Sequence, residues 1–267
     1  MTRAGRGLAL AAALAFVAPS AAASAAEDPL AKARQLYNQR DFEGAIVAAE
    51  QARLVPSRAD AADLVAARAY LERFRDTAAP DDLTNARDRL RRLNPDRFLP
   101  SERTEYLIGL GETLYFENAY GAAATVFESV LQSGELRPAS ARDRVLDWWA
   151  TAVDHDTRPR PDMDRQAVYQ RMRVRFEGEL AARPGSGAAA FWLAAAARAQ
   201  GDLQAAWDAA QAGWVRAPLA ADHGDALRAD LDRLVTRVIV PERAKVLAQP
   251  PDNLRGEWER FKARWAK

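Results

Sequence analysis

The chain has no cysteine, two histidines and three methionines among its 267 residues. Without cysteine there is no disulfide and no thiolate ligand or nucleophile, so an exported form must rest on helix packing alone. The same lack excludes a lipid anchor on an N-terminal cysteine. An excess of charge is missing too: Lys+Arg 38 against Asp+Glu 37 gives a net +1, which offers nothing to draw the chain to nucleic acid. There is no glycine-rich phosphate loop, no His-Glu-x-x-His and no nucleophile with a base near it in sequence. The chain is therefore read as non-enzymatic, with no cofactor expected. What it does have is 49% hydrophobic residues and enough length for a sizeable core.

The first residues stand apart. Arg3 and Arg6 precede an apolar run from Leu8 to Val17, then Pro19-Ser20 and the small-residue tract Ala21 to Ala26. A basic start, a short apolar core and an Ala-x-Ala site have the layout of a secretory signal peptide, expected over 1–26 with cleavage after Ala25 or Ala26. The apolar core is too short to span a bilayer, which takes about 20 residues, and no later stretch is apolar enough. Removing Arg3 and Arg6 leaves the mature chain with one more acidic than basic residue. The expected location is the periplasm of a bacterium, or otherwise the extracellular side.

From there on, amphipathic helical patterns come in pairs. In Leu110–Leu131, Leu107, Leu110, Leu114 and Tyr115 recur at helical spacing, the polar turn Glu117-Asn118-Ala119 follows, and Tyr120, Ala123, Phe127, Val130 and Leu131 recur again. Gly111 and Ala123 are small where the two helices cross, and Phe127 is left for a neighbour. A similar pair spans Ala33–Pro56, turning at Asn38–Asp41, and a third spans Phe191–Pro218, turning at Gly201-Asp202. Phe42, Tyr120 and Leu203 hold equivalent places 78 and 83 residues apart. With a unit of ~34 residues, each gap holds one more pair. These degenerate pairs fall over Asp60–Pro95, with a connection through Asp76 to Asp82 and Asp81 or Asp82 as cap, and over Ser140–Pro184, with a proline-broken loop from His155 to Asp164.

After Pro218 come one long helix through Val238, a short one opened by Pro241, and a last one from Asn253 to Trp265. The last carries Leu254, Trp258, Phe261 and Trp265 on one face and charges on the other. It is read as the cap that closes the array, with docking or dimerisation as the alternative.

The order Leu-Gly, Leu-Tyr, aromatic, small, aromatic, Val-Leu across Leu110–Leu131 resembles the tetratricopeptide repeat (TPR) family. The resemblance implies an all-α, right-handed α-solenoid of about five hairpins over 27–218, capped by helices over 219–267. It further implies a concave channel lined by the first helix of each hairpin. In the clear copies those helices offer Arg34, Tyr37 and Asn38; Glu105, Ile108, Glu112 and Tyr115; and Phe191 and Arg198, with Ala195 between them. The basic and asparagine clamp by which some TPR proteins hold a C-terminal carboxylate is not reproduced, Arg34 and Asn38 being near-misses. The function implied is a protein-interaction scaffold of the bacterial envelope that binds a peptide or partner protein of neutral or basic, partly apolar character. The alternative is a carrier or sensor of a small or polymeric cell-wall ligand using the tryptophan-rich fifth hairpin.

Asp154-His155-Asp156 and Asp222-His223-Gly224-Asp225 read as a solvated loop and a helix-start cap in preference to metal ligands. Trp148-Trp149 must point to different faces of one helix. Trp192, Trp207 and Trp214 either fill gaps in an alanine-rich core or line a recognition surface.

Overall fold

The computed structural model describes residues 28–266, so the expected signal peptide lies outside the described residues. Among the described residues all regular structure is helical and there is no strand. The ten helices of the five expected pairs are α1 (Pro29–Asn38), α2 (Phe42–Arg53), α3 (Ala59–Thr77), α4 (Pro80–Leu90), α5 (Pro100–Phe116), α6 (Tyr120–Gln132), α7 (Ala139–Thr157), α8 (Asp162–Ala182), α9 (Gly187–Ala199) and α10 (Leu203–Arg216). After them come α11 (Asp225–Leu234), α12 (Val240–Val246) and α13 (Pro251–Arg264). Each helix packs on the next, and α1, α3, α5, α7, α9 and α11 also touch in series. No helix among the described residues is long and apolar enough to cross a membrane.

One turn recurs in the three clear pairs. Arg40, Asn118 and Gly201 take left-handed conformations, with φ of 65°, 62° and 80°. The next residue's N–H returns to a carbonyl five residues back: Asp41 to Leu36 (3.0 Å), Ala119 to Leu114 (2.9 Å) and Asp202 to Ala197 (3.1 Å). This satisfies carbonyls that a helix end would otherwise leave open. Asp41 and Asp202 then cap the following helix, accepting from the Gly44 and Ala205 N–H groups at 2.9 and 3.0 Å.

The pairs come close where residues are small. A Cβ on Gly111 would lie 2.6 Å from the Phe127 ring, so Phe127 of α6 sits directly on the α5 backbone. Phe127 thus fills its own hairpin first, and it also stacks on Trp148 of α7 with ring centroids 6.1 Å apart. The α7–α8 pair is different, because Trp149, Tyr169, Met172 and Phe176 occupy the space between its helices and keep the backbones apart. A polar clasp holds that pair. Arg142 of α7 donates to both oxygens of Glu179 on α8 (2.9 and 3.1 Å) and to the Leu131 carbonyl at the end of α6 (2.8 Å).

Four details depart from the sequence reading. The connection expected through Asp76 to Asp82 is two residues long, and α4 opens on Pro80, whose missing N–H costs nothing at a helix start. Asp82 is consequently free of capping and pairs instead with Arg73. The loop expected from His155 to Asp164 shrinks to Arg158–Pro161, since prolines at 159 and 161 restrict only the residues just before them. His155 is helical and packs against Tyr115 and Tyr120. Pro241 stands in the first turn of α12, as expected, but no break precedes it: α11 runs through a π turn, Val235–Ile239, straight into α12. Finally, Trp265, expected on the apolar face of α13, stands 49% exposed, whereas Leu254, Trp258 and Phe261 are buried; Trp258 lies between Trp207 and Trp214 and donates its indole N–H to Asp232 (2.8 Å). A single apolar core extends from Ile108 to Phe261, while the helices before it hold four small clusters.

Gly111→Ala should cost about 1–3 kcal/mol, because the added methyl overlaps the Phe127 ring. Gly178→Ala, whose Cβ would meet nothing within 4 Å, should add about 0.5–1 kcal/mol through helix propensity. Urea unfolding midpoints of the two variants test the pair, and equal shifts in the same direction would refute the packing described.

The Glu179 clasp predicts a pH signature. Burial works to raise its pKa, but hydrogen bonds from Arg183 and Arg142 prevail and hold it at about 2, below the ordinary 4.5. A folded pKa below the unfolded one means stability present in full above pH 4.5 and lost as pH falls toward 2. Glu179→Gln should flatten the acid limb of the stability curve over that window; a limb parallel to the native one would remove the assignment.

Candidate binding groove

The first helices α1, α3 and α5 bound a cavity of about 320 Å³. Its floor is apolar, from Leu64 and Val65 of α3, and its rim carries the exposed Leu99 ahead of α5 beside Arg34 and Asn38 of α1 and Glu102 and Glu105 of α5. Arg34 reaches across the mouth to Glu102 at 2.8 Å.

Arg68, on α3, organises this site. Its side chain is only 7% exposed, and its stem lies on α5, where a Cβ on Gly109 would be 3.1 Å from Arg68 Cδ. Its guanidinium donates to Glu105 Oε2 (3.0 Å), to the Glu105 carbonyl (3.3 Å) and to the Tyr37 hydroxyl (3.2 Å). Its Nε faces Glu112 Oε2 at 3.6 Å. One buried cation therefore ties α1 and α5 to α3. Burial opposes the charge of Arg68, but Glu112, Tyr37 and Glu105 outweigh it and the guanidinium stays protonated. Burial pushes the Glu112 carboxyl up, against the pull of Arg68 and with Glu72 and Glu105 adding to the rise.

The nine residues expected along one channel are distributed among several environments. Arg34, Tyr37, Asn38 and Glu105 meet around the cavity just described. Ile108 and Glu112 are buried in the packing of α5, out of a ligand's reach. Tyr115 belongs to an aromatic cluster, edge-on to Trp148 (4.9 Å) and Tyr120 (5.2 Å). Phe191 and Arg198 line a second cavity of about 500 Å³ between α7, α8, α9 and α11. Arg68 escaped sequence reasoning because a lone arginine on a helix reads as solvated. The available signal was its place amid Ala66, Ala67 and Ala69, a run with no polar face to spare.

The tryptophans divide by place. Trp192, Trp207 and Trp258 are buried, whereas Trp149 is partly exposed beneath Arg175, 4.5 Å above its ring. Asp222 caps the start of α11 through the Gly224 and Ala226 N–H groups. Among the described residues no three His, Cys, Asp or Glu side chains gather as a metal site would require. No known protein-family model matches the chain, and no curated protein matches it.

Arg68→Met should destabilise by about 3–5 kcal/mol, since it strands Glu112 in the interior. Because Arg68 lowers a Glu112 pKa that burial raises, losing it raises that pKa further, so the loss should be smaller while Glu112 is protonated and grow as pH rises through its folded-state pKa. Adding Glu112→Leu should recover most of the loss. Denaturant titration of the single and double variants at two pH values measures this; a double variant as unstable as the single would show that the pair does not act as a unit.

Proposed function

We propose that the chain is an exported, TPR-like α-solenoid of the bacterial cell envelope, most simply periplasmic, acting as a non-enzymatic scaffold that binds a peptide or partner protein. The observation that carries this reading is the cavity between α1, α3 and α5, the first helices of three successive hairpins. Its apolar floor suits a side chain of the partner, and the Arg34–Glu102 pair across its mouth faces solvent, where an ion pair is worth about 0–1 kcal/mol and yields readily to a competing ligand. Arg68, held from behind by Glu112, keeps the three helices in register whether or not the groove is filled. The paired helices, the recurring left-handed turn and the contacts among α1, α3, α5, α7, α9 and α11 support the solenoid. The signal-like N-terminus supports export.

Site-specific photocrosslinking in cells tests the groove. A crosslinker at Asn38 or Ser101 should capture one defined envelope protein, and Arg34→Glu should abolish the adduct. A probe at the exposed Val174 on α8 should not give it. The same adduct from Val174, or an adduct indifferent to Arg34→Glu, would refute the groove.

A further inference from the structure

The cavity between α7, α8, α9 and α11 has a different chemistry from the first. Phe191 of α9 and Leu234 and Val238, at the junction of α11 with the π turn, form its apolar wall. Three arginines from three helices or their ends, Arg158, Arg165 and Arg198, converge on it, against one lining carboxylate, Asp154. That carboxylate is already engaged: one oxygen accepts from the Tyr169 hydroxyl at 2.8 Å and the other from Arg158. Arg165 pairs with Asp162, which stands 83% exposed, and Arg198 pairs with Glu242 of α12. A guanidinium has five N–H donors, and these pairs leave donors over on each. Arg158 bonds Asp154 through Nη2 alone, and Arg198 bonds Glu242 through Nε and Nη2, leaving Nη1.

We propose that this cavity is a binding site for a small amphiphilic anion, an organic carboxylate or phosphate monoester carrying an apolar body. A guanidinium cluster selects the planar or tetrahedral oxyanion by forked, charge-assisted bonds. The Phe191, Leu234 and Val238 wall favours an anion that brings apolar surface with it over free phosphate. The volume of about 500 Å³ lies within the range of small-molecule pockets. Because α8 stands off from α7, the space persists without a ligand to prop it. The site is independent of the α1–α3–α5 groove and does not rest on the scaffold reading.

Isothermal titration of the purified protein with decanoate, decyl phosphate, decanol and decyltrimethylammonium is the test. Either anion or both should bind, more weakly as salt is raised, and the alcohol and the cation should bind at least tenfold less tightly or not at all. The preferred anion then identifies the headgroup. Arg165→Gln and Arg198→Gln should each weaken the anion by about tenfold. Ala195→Phe, which fills the cavity from the α9 side, should abolish binding while circular dichroism remains native. Arg34→Gln in the other groove should change nothing. Binding indifferent to headgroup charge or to the arginine substitutions, or no binding by either anion, would overturn the proposal.

Discussion

A buried guanidinium fixes the first half of this molecule. In α1 to α4 the core is largely alanine, with Ala33, Ala45, Ala49, Ala52, Ala66, Ala67 and Ala69 all nearly inaccessible. Alanine lets helices approach closely but removes little apolar surface from water, so contact area alone specifies their register weakly. Arginines supply what is missing. Arg68 spans α1, α3 and α5; Arg73 spans α3, Asp82 of α4 and Glu43 of α2; Arg89 of α4 joins Asp63 of α3 and Glu50 of α2. Tyr70 lies between the last two, with their guanidiniums 5.2 and 5.4 Å from its ring. Breaking the enclosed pairs Arg68–Glu112 and Arg89–Asp63 leaves an uncompensated charge, so these two penalise a slipped register more than they add to net stability.

The second half uses the opposite device. From Ile108 onward the core fills with Phe127, Phe176, Trp192, Trp207 and Trp258, whose area provides the cohesion that alanine cannot. Large rings cannot all interdigitate at the separation small residues allow. Where they crowd between α7 and α8 the backbones part, and Arg142 and Glu179 bridge the pair with hydrogen bonds. Cavities follow at that place for the same reason. The α7–α8 separation is thus the structural source of the space beside Arg158, Arg165 and Arg198.

Much of this was legible in the sequence where a rule is local. Helical spacing located each pair, and the turns at Asn38–Asp41 and Gly201-Asp202 were readable from residues that tolerate left-handed backbone or cap a helix. What failed was judging how much chain a proline takes out of a helix. Pro80 opens α4 directly after Ala78-Ala79, and Pro159 and Pro161 leave only Arg158–Pro161 between α7 and α8. The site was less legible still. Tyr37 and Glu105 are drawn together by Arg68 from a helix of a degenerate copy, and no periodicity in α1 or α5 announces a partner on α3. Phe191 and Arg198 lay on the expected helix face, but their companions Arg158 and Arg165 flank a connection whose length was misjudged.

The shared turn explains how one architecture holds such different chemistry. Counting back from the left-handed residues Arg40, Asn118 and Gly201, the third position is Tyr37, Tyr115 and Arg198, and the sixth is Arg34, Glu112 and Ala195. Because the turn fixes the end of each first helix, these side chains leave their helices at equivalent places. Yet Tyr37 accepts from a buried arginine, Tyr115 packs in an aromatic cluster and Arg198 faces a cavity. At the sixth position Arg34 is half exposed while Glu112 is buried beneath Arg68. Register is set by backbone and function by what the neighbouring helix presents, so residues equivalent in sequence need not be equivalent in role. The chemical character of each equivalent place therefore comes from contacts between hairpins, where a degenerate copy contributes as much as a clear one.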